Sequence, residues 1–288
     1  PHLLLANASS SGGNNAGNNA SQGAGGPGGS TSRAGTDMPT LGATLGGGGR
    51  GAIHAYEVTL VLELCDRGSL RDALQQGAFV LPDESGLNYA AILDTAADVA
   101  KALVHMHRQG IVHSDLKARN VLLRGAGGAG RGITAKLGDF GLAVKLQPGQ
   151  DHVMGAIQGT LTHMAPEVLQ EGRVSRESDV YAYGITLWEL YTGAHAFRGV
   201  PKAALVHQVT LEHRRPDFPP GTPQRFRQLA EWCWNKDTHI RPTFEEILAQ
   251  LVAMRRELGA APCPPLRPYS VNLGEEAEGE PAQADPAP

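Results

Sequence analysis

Apolar positions change their period several times along the chain, and each change predicts an element. Glu57 to Cys65 (Glu-Val-Thr-Leu-Val-Leu-Glu-Leu-Cys) has the β-branched and apolar density of a strand, and Asp66-Arg67-Gly68-Ser69 breaks it. Ser69 is placed to cap a short helix through Leu70, Ala73 and Leu74, with Asp72 in its first turn. Asn88 is placed to cap a longer one, in which Ile92, Ala96, Val99, Leu103 and Met106 recur at helical spacing until Gly110. Next come a strand at Ile111-Val112-His113, a polar turn and a strand at Val121-Leu122-Leu123. A hairpin-like loop follows from Gly125 to Gly132, then a short strand at Ala135-Lys136-Leu137. From Asp179 onward the period is helical, with segments around Trp188 and Leu190, from Phe226 to Trp234 and from Phe244 to Leu258. There is no internal repeat.

Composition divides the chain into three. Of 37 glycines, 15 fall within residues 1–51, a stretch without Lys, Glu or Trp. It cannot bury enough apolar area to offset its ordering entropy, so it reads as disordered, within a low-complexity Gly/Asn/Ser-rich segment over residues 1–56. Pro262-Cys263-Pro264-Pro265 predicts the end of regular structure and the start of a disordered Pro- and Glu-rich tail over 259–288. That tail holds five acidic residues, and without it the formal charge of −4 falls to zero. No basic stripe suggests nucleic acid. The cysteines, Cys65, Cys233 and Cys263, are odd in number and far apart, which argues against a disulfide framework or a Cys-rich zinc site. No long apolar run suggests a membrane span and Pro1-His2-Leu3-Leu4-Leu5 lacks a basic leader, so a cytoplasmic setting is the default expectation.

Three polar residues in short turns between apolar strands are candidates for chemistry. Asp115 and Asn120 lie in His113-Ser-Asp-Leu-Lys-Ala-Arg-Asn120, and Asp139 lies in Gly138-Asp-Phe-Gly141. Two carboxylates and an amide offer the hard oxygen ligands that Mg²⁺ takes when water and phosphate complete its shell. Each motif alone is commonplace; an Asp-Phe-Gly tripeptide is most often an ordinary turn.

The ordered set resembles the protein-kinase catalytic core, with Ala165-Pro166-Glu167 beyond it, then Asp179, and finally Cys233-Trp234-Asn235 and Arg241-Pro242-Thr243-Phe244. The resemblance spans 57–258 and implies an α+β, protein-kinase-like fold: a mostly helical C-lobe with a remnant of the β-rich N-lobe. It implies ATP and Mg²⁺ as cofactors and a protein substrate with a Ser/Thr hydroxyl. In this resemblance Asp115 matches the base that accepts the substrate proton, and Lys117 the residue that steadies the transferring phosphoryl group. Asn120 and Asp139 match the Mg²⁺ ligands. Glu63 and Cys65 match the hinge that binds adenine, Leu62 the residue limiting depth behind it, and Leu122 the apolar floor. Asp179 matches a buried anchoring Asp, and Arg241 the partner of Glu167. Lys117 and Gly159-Thr160 are typical of Ser/Thr enzymes, whereas Cys233-Trp234 is more usual in tyrosine kinases and their Ser/Thr relatives. The combination resembles the tyrosine-kinase-like group.

Two departures qualify the resemblance. The first lysine is Lys101 and no Glu precedes Glu57, so the family's phosphate-binding Lys and its Glu partner have no counterpart. Gly46-x-Gly48-x-x-Gly51 has the glycine-loop spacing but sits in a polyglycine run with no strand before it. Pro1 to Leu5 resembles the end of a turn and the strand after it, making residues 6–56 mostly an insertion and the chain a fragment of a kinase domain. A non-catalytic docking module or pseudokinase is the alternative. Secondly, Ser114 replaces the Arg usual before the catalytic Asp, and Leu142 to Gly159 holds no Ser, Thr or Tyr, so receptor and acceptor of a regulatory phosphate are absent together. The sequence does not set the oligomeric state.

Overall fold

The computed structural model describes residues 4–8, 58–127, 130–155, 157–259 and 263–271. It divides into two units, Pro1–Leu64 and Cys65–Pro288. In the first, strand β1 (Leu4–Ala8) runs antiparallel to β2 (Val58–Leu62), with Leu4 opposite Leu62. The glycine-loop-like spacing at Gly46 to Gly51 lies outside the described residues, as does most of the low-complexity segment.

The second unit opens with α1 (Leu70–Gln75). Ser69 and Asp72 cap it reciprocally, the Ser69 Oγ accepting from the Asp72 amide and the Asp72 carboxylate accepting from the Ser69 amide and hydroxyl. Helix α2 (Tyr89–Arg108) begins at Asn88, whose Oδ1 accepts from the Ala91 amide. Gly110 then reverses the chain at φ 69°. Strand β3 (Ile111–Val112) follows, and after a turn β4 (Val121–Gly125) pairs with β5 (Ile133–Leu137) as the hairpin that the sequence predicts. The β3 strand does not pair with β4; its partner is β6 (Val144–Lys145), beyond the Asp139 turn.

Strand β7 (His152–Met154) pairs antiparallel with β8 (Arg173–Ser175), which follows α3 (Pro166–Glu171). Neither these strands nor α3 is foreseen from periodicity, since each is too short to show one. The link depends on Gly172: its φ is 68°, and a Cβ there would lie 2.5 Å from the Gly155 carbonyl oxygen.

Helix α4 (Arg176–Thr192) is the centre of the unit. From Ser178 to Leu190 only Trp188 is more than slightly exposed, so the helix is enclosed on every side. It packs against α2, whose Ala96 carbonyl accepts from the Tyr183 hydroxyl at 2.8 Å, and against α6 (Gln224–Cys233). Gly184 permits the second approach, because a Cβ there would meet the Ala230 carbonyl and the Cys233 Cβ at 3.0 Å. Helix α5 (Lys202–Thr210) precedes α6 and escapes the sequence reading, its buried apolar residues being Leu205 and Val209 with Val206 half-buried beside them. Helix α7 (Phe244–Glu257), capped by a Thr243–Glu246 box, packs along α2 and buries Phe244, Ile247, Leu251 and Met254.

The expected disordered tail is corrected over 263–271, where the chain crosses the body as a strap. The Pro264 carbonyl accepts from Asn88 Nδ2, Leu266 donates to Arg131 O and Arg267 to Ala78 O, and Gln76 exchanges two hydrogen bonds with Ser270. The Tyr269 hydroxyl donates to Arg67 O at 2.8 Å, and Cys263 is buried. Proline-rich sequence makes no ladder of its own, but its extended backbone satisfies groups that α1 and α2 leave open. Residues 272–288 lie outside the described residues.

Candidate active site

Asp179 sets the geometry of the turn after β3. Buried in the first turn of α4, its Oδ2 accepts from the His113 amide at 2.8 Å and its Oδ1 from the Ser114 amide at 2.9 Å. His107 donates to Oδ2 from α2 at 2.9 Å. Three donors on one carboxylate hold Ser114 in the left-handed region, at φ 70°, which a serine adopts only under such constraint. The chain therefore turns sharply and projects Asp115 out of the core.

Asp115 is 8% exposed and engaged on both oxygens. Oδ1 accepts from the Thr160 amide at 2.8 Å, and Oδ2 from Lys117 Nζ at 2.7 Å and Asn120 Nδ2 at 3.2 Å. Lys117 Nζ also donates to Thr160 Oγ1 at 2.8 Å, so one ammonium joins the carboxylate to the segment before α3. Burial alone would raise the Asp115 pKa. The hydrogen bonds from Lys117 and Thr160, with the lysine charge, outweigh it and hold the carboxyl below the ordinary range. The group stays ionised at neutral pH.

Asn120 donates to Asp115 O at 2.8 Å through the nitrogen that also reaches Oδ2, which turns its amide oxygen away from Asp115. Its own carbonyl accepts from the Gly138 amide at 2.9 Å, tying the first turn to the residue before Asp139. His113 makes a second tie. Its Nε2–H donates to Gly138 O at 3.0 Å and its Nδ1 accepts from the Asp115 amide at 3.3 Å, fixing one tautomer. Asp139 is exposed at φ 57°, and its Oδ1 accepts from the Gly141 amide at 3.4 Å. Phe140 is 54% exposed and leans on the His113 ring. The Leu122 side chain lies against Gly138, where a Cβ would approach it to 3.1 Å.

The structure thus gathers Asp115, Lys117 and Asn120 directly, with Thr160, and links Asp139 and Leu122 to them through Gly138. Glu63, exposed, lies at the end of the first unit, and half-buried Cys65 opens the second. Sequence reasoning missed the part played by His113, which is visible only once the two turns are placed together. The donor set suits Mg²⁺: one exposed carboxylate and one amide oxygen are what an ion surrounded mainly by water and phosphate takes from protein. Among the described residues no group of three or more His, Cys, Asp or Glu side chains is placed to hold a metal ion.

Behind this cluster lie two buried ion pairs. Arg241 meets Glu167 with two hydrogen bonds, 2.6 and 2.9 Å, as expected from the sequence. Arg71 meets Glu189 at 2.5 Å, and His163 Nε2 approaches the same carboxylate at 3.5 Å, an ion-pair distance rather than a hydrogen bond. The second network is not foreseeable, because nothing local connects residues 71, 163 and 189. No helix of the described residues is long and apolar enough to cross a membrane.

Comparison with known proteins agrees with the geometry. The family model of protein tyrosine and serine/threonine kinases matches residues 49–251. Serine/threonine-protein kinase STY46 of Arabidopsis thaliana is 35% identical over 203 residues, covering 69% of this chain and 32% of that protein. Serine/threonine-protein kinase STY17 of the same plant is 34% identical over 201 residues, 69% of this chain and 33% of that protein. Mitogen-activated protein kinase kinase kinase 12 of Rattus norvegicus is 30% identical over 192 residues, 67% of this chain and 20% of its own length. The chain spans a third or less of these relatives. With motif order, fold and family match in accord, the chain belongs to the protein tyrosine and serine/threonine kinase family.

Proposed function

We propose that the protein carrying this chain transfers the γ-phosphoryl group of ATP to a Ser or Thr hydroxyl of a protein substrate. The observation that carries this reading is the Lys117 ammonium held between Asp115 and Thr160. A carboxylate kept ionised beside a fixed cation can accept a hydroxyl proton while the cation offsets the charge developing on the phosphoryl oxygens. Asp115 is the proton acceptor and Lys117 the positioning cation. Asn120 Oδ1 and the Asp139 carboxylate would hold Mg²⁺, which when bound would neutralise phosphate charge. Gly138 and His113 fix Asp139 relative to Asp115. Leu122 and Cys65 are assigned to the adenine site, Cys65 through its backbone groups.

The test is phosphate incorporation from labelled ATP by the natural full-length protein. Asp115→Asn should lower the rate at least ~10²-fold, the lower end for loss of a general base, and Asp139→Ala should remove Mg²⁺-dependent turnover. Full activity in both variants refutes the assignment. A docking module without catalysis is favoured, for this chain alone, by the absence of any lysine before Lys101. The 288 residues by themselves should therefore show little or no transfer, and Asp115-dependent activity of the isolated chain overturns that expectation.

A further inference from the structure

Arg119 is an exposed cation between two residues that both bond Asp115, and no ion pair holds it among the described residues. The turn that carries it, Ala118–Asn120, packs against α1. The same helix fixes the loop after α4: Arg71 donates to the carbonyls of Gly193 and Ala194, and Gln75 Nε2 meets His195 Nε2 at 3.4 Å. That loop presents His195 and Arg198, both exposed, and Arg198 likewise has no carboxylate partner among the described residues. The local acids are already used. Glu189 is buried against Arg71, and Asp72 is bound by the Ser69 cap. The His195 pKa is lowered first by burial, then by the charges of Arg71, Arg119 and Arg198 against the opposing effect of Glu189, so these groups share one field.

An unneutralised cationic face beside the acceptor site has a use. From the Asn120–Asp115 hydrogen bond and one Cα step, the Arg119 backbone lies within roughly 11 Å of the Asp115 carboxylate. An extended peptide advances about 3.3 Å per residue, so the guanidinium reaches side chains about two to four positions from the acceptor. Resting on the kinase reading above, we propose that Arg119 and Arg198 are specificity-determining residues that select substrates with an anionic side chain, carboxylate or phosphate, close to the phosphorylated Ser or Thr. A guanidinium reads either group through paired N–H donors, which a neutral or basic side chain cannot use.

The experiment uses one Ser-containing peptide in four forms: neutral, or with Asp, phosphoserine or Arg placed in turn at each position up to four from the acceptor. kcat/KM is measured with the natural full-length protein, and affinity for the 288-residue chain by fluorescence anisotropy. The Asp peptide should exceed the neutral one by about five- to tenfold at low salt, less at high salt, as for two exposed ion pairs. Arg119→Glu or Arg198→Glu should each remove part of the preference, and the double variant should favour the Arg peptide over the Asp peptide. A gain with phosphoserine but not Asp identifies phosphate as the anion and supports the proposal. Equal kcat/KM for Asp, neutral and Arg peptides in an active enzyme overturns it. Absence of transfer to every peptide overturns the kinase reading instead, and the anisotropy ratio then decides the charge preference alone.

Discussion

Removing the arginine of the Arg241–Glu167 pair gives the sharpest test of how the first turn of α3 is held. The Arg241 side chain is fully enclosed and that of Glu167 is 10% exposed. Besides its two bonds to Glu167, Arg241 donates to Asn235 O at 2.8 Å and Glu177 O at 2.9 Å, and its guanidinium lies 5.3 Å from the Tyr181 ring centre. Arg241→Ala leaves a buried carboxylate without its partner and two carbonyls without a donor. Breaking a buried pair from one side costs about 3–5 kcal/mol. Glu167→Gln keeps one acceptor for the guanidinium and should cost about 1–3 kcal/mol, the range for one unsatisfied buried group. In the double variant neither charge is stranded as before, so its loss should fall short of the sum by at least about 1 kcal/mol. Urea unfolding of the three variants measures all of this. Because Glu167 sits two residues after Ala165 in the first turn of α3, the same variants should raise the peptide KM of the full-length protein more than they lower kcat. A loss under about 1 kcal/mol for Arg241→Ala, or strict additivity, would show that the pair is incidental to the fold.

Three further outcomes follow from named contacts. Burial alone would raise the Glu189 pKa, but His163 and the His163 and Arg71 charges lower it to about 2. A depressed carboxyl stabilises the fold above its unfolded pKa and ceases to as pH falls through its folded one. Wild type should therefore lose about 3 kcal/mol more than Glu189→Gln between pH 5 and 2 in urea titrations, and parallel curves would contradict the network. The β7–β8 ladder, the Gly155 amide on Gly172 O and the Asp151–Arg173 pair hold a segment that offers no hydroxyl from Leu142 to Gly159. Phosphatase treatment of the active full-length protein should leave its rate unchanged, and a loss reproduced by Thr162→Ala and restored by rephosphorylation would refute this. Burial raises the Cys263 pKa, so alkylation there reports detachment of the strap, and Tyr269→Phe should speed it about fivefold, one hydrogen bond's worth. An unchanged alkylation rate would mean that Tyr269 does not hold the strap.

What could be read from the sequence was whatever announces itself locally. Ser69 and Asn88 cap their helices because side-chain oxygens beside a helical period have few other uses, and the motif residues 113–120 and 138–141 lie in the turns where their polarity places them. The partner of β3 was not legible, since strand pairing depends on how the chain returns after Asp139 rather than on either strand's own pattern. Helices α3 and α5 were missed for lack of a repeated apolar face. The buried network of Arg71, His163 and Glu189 joins residues over a hundred positions apart, and no spacing rule reaches that far. The strap was misjudged because proline content reports the absence of self-pairing, not the absence of docking.

That strap changes where the folded unit should be cut. Family similarity stops at residue 251 and the last helix at 257, yet hydrogen bonds run on to Ser270. An excised piece ending at either of the first two points would expose the Asn88 side chain, the Ala78 and Arg131 carbonyls and the pocket filled by Cys263. It would place that raw surface beside the turn before α1. Poor solubility of such a piece would then be a property of the cut rather than of the protein, and a gene fragment reaching Ser270 keeps all of these groups covered.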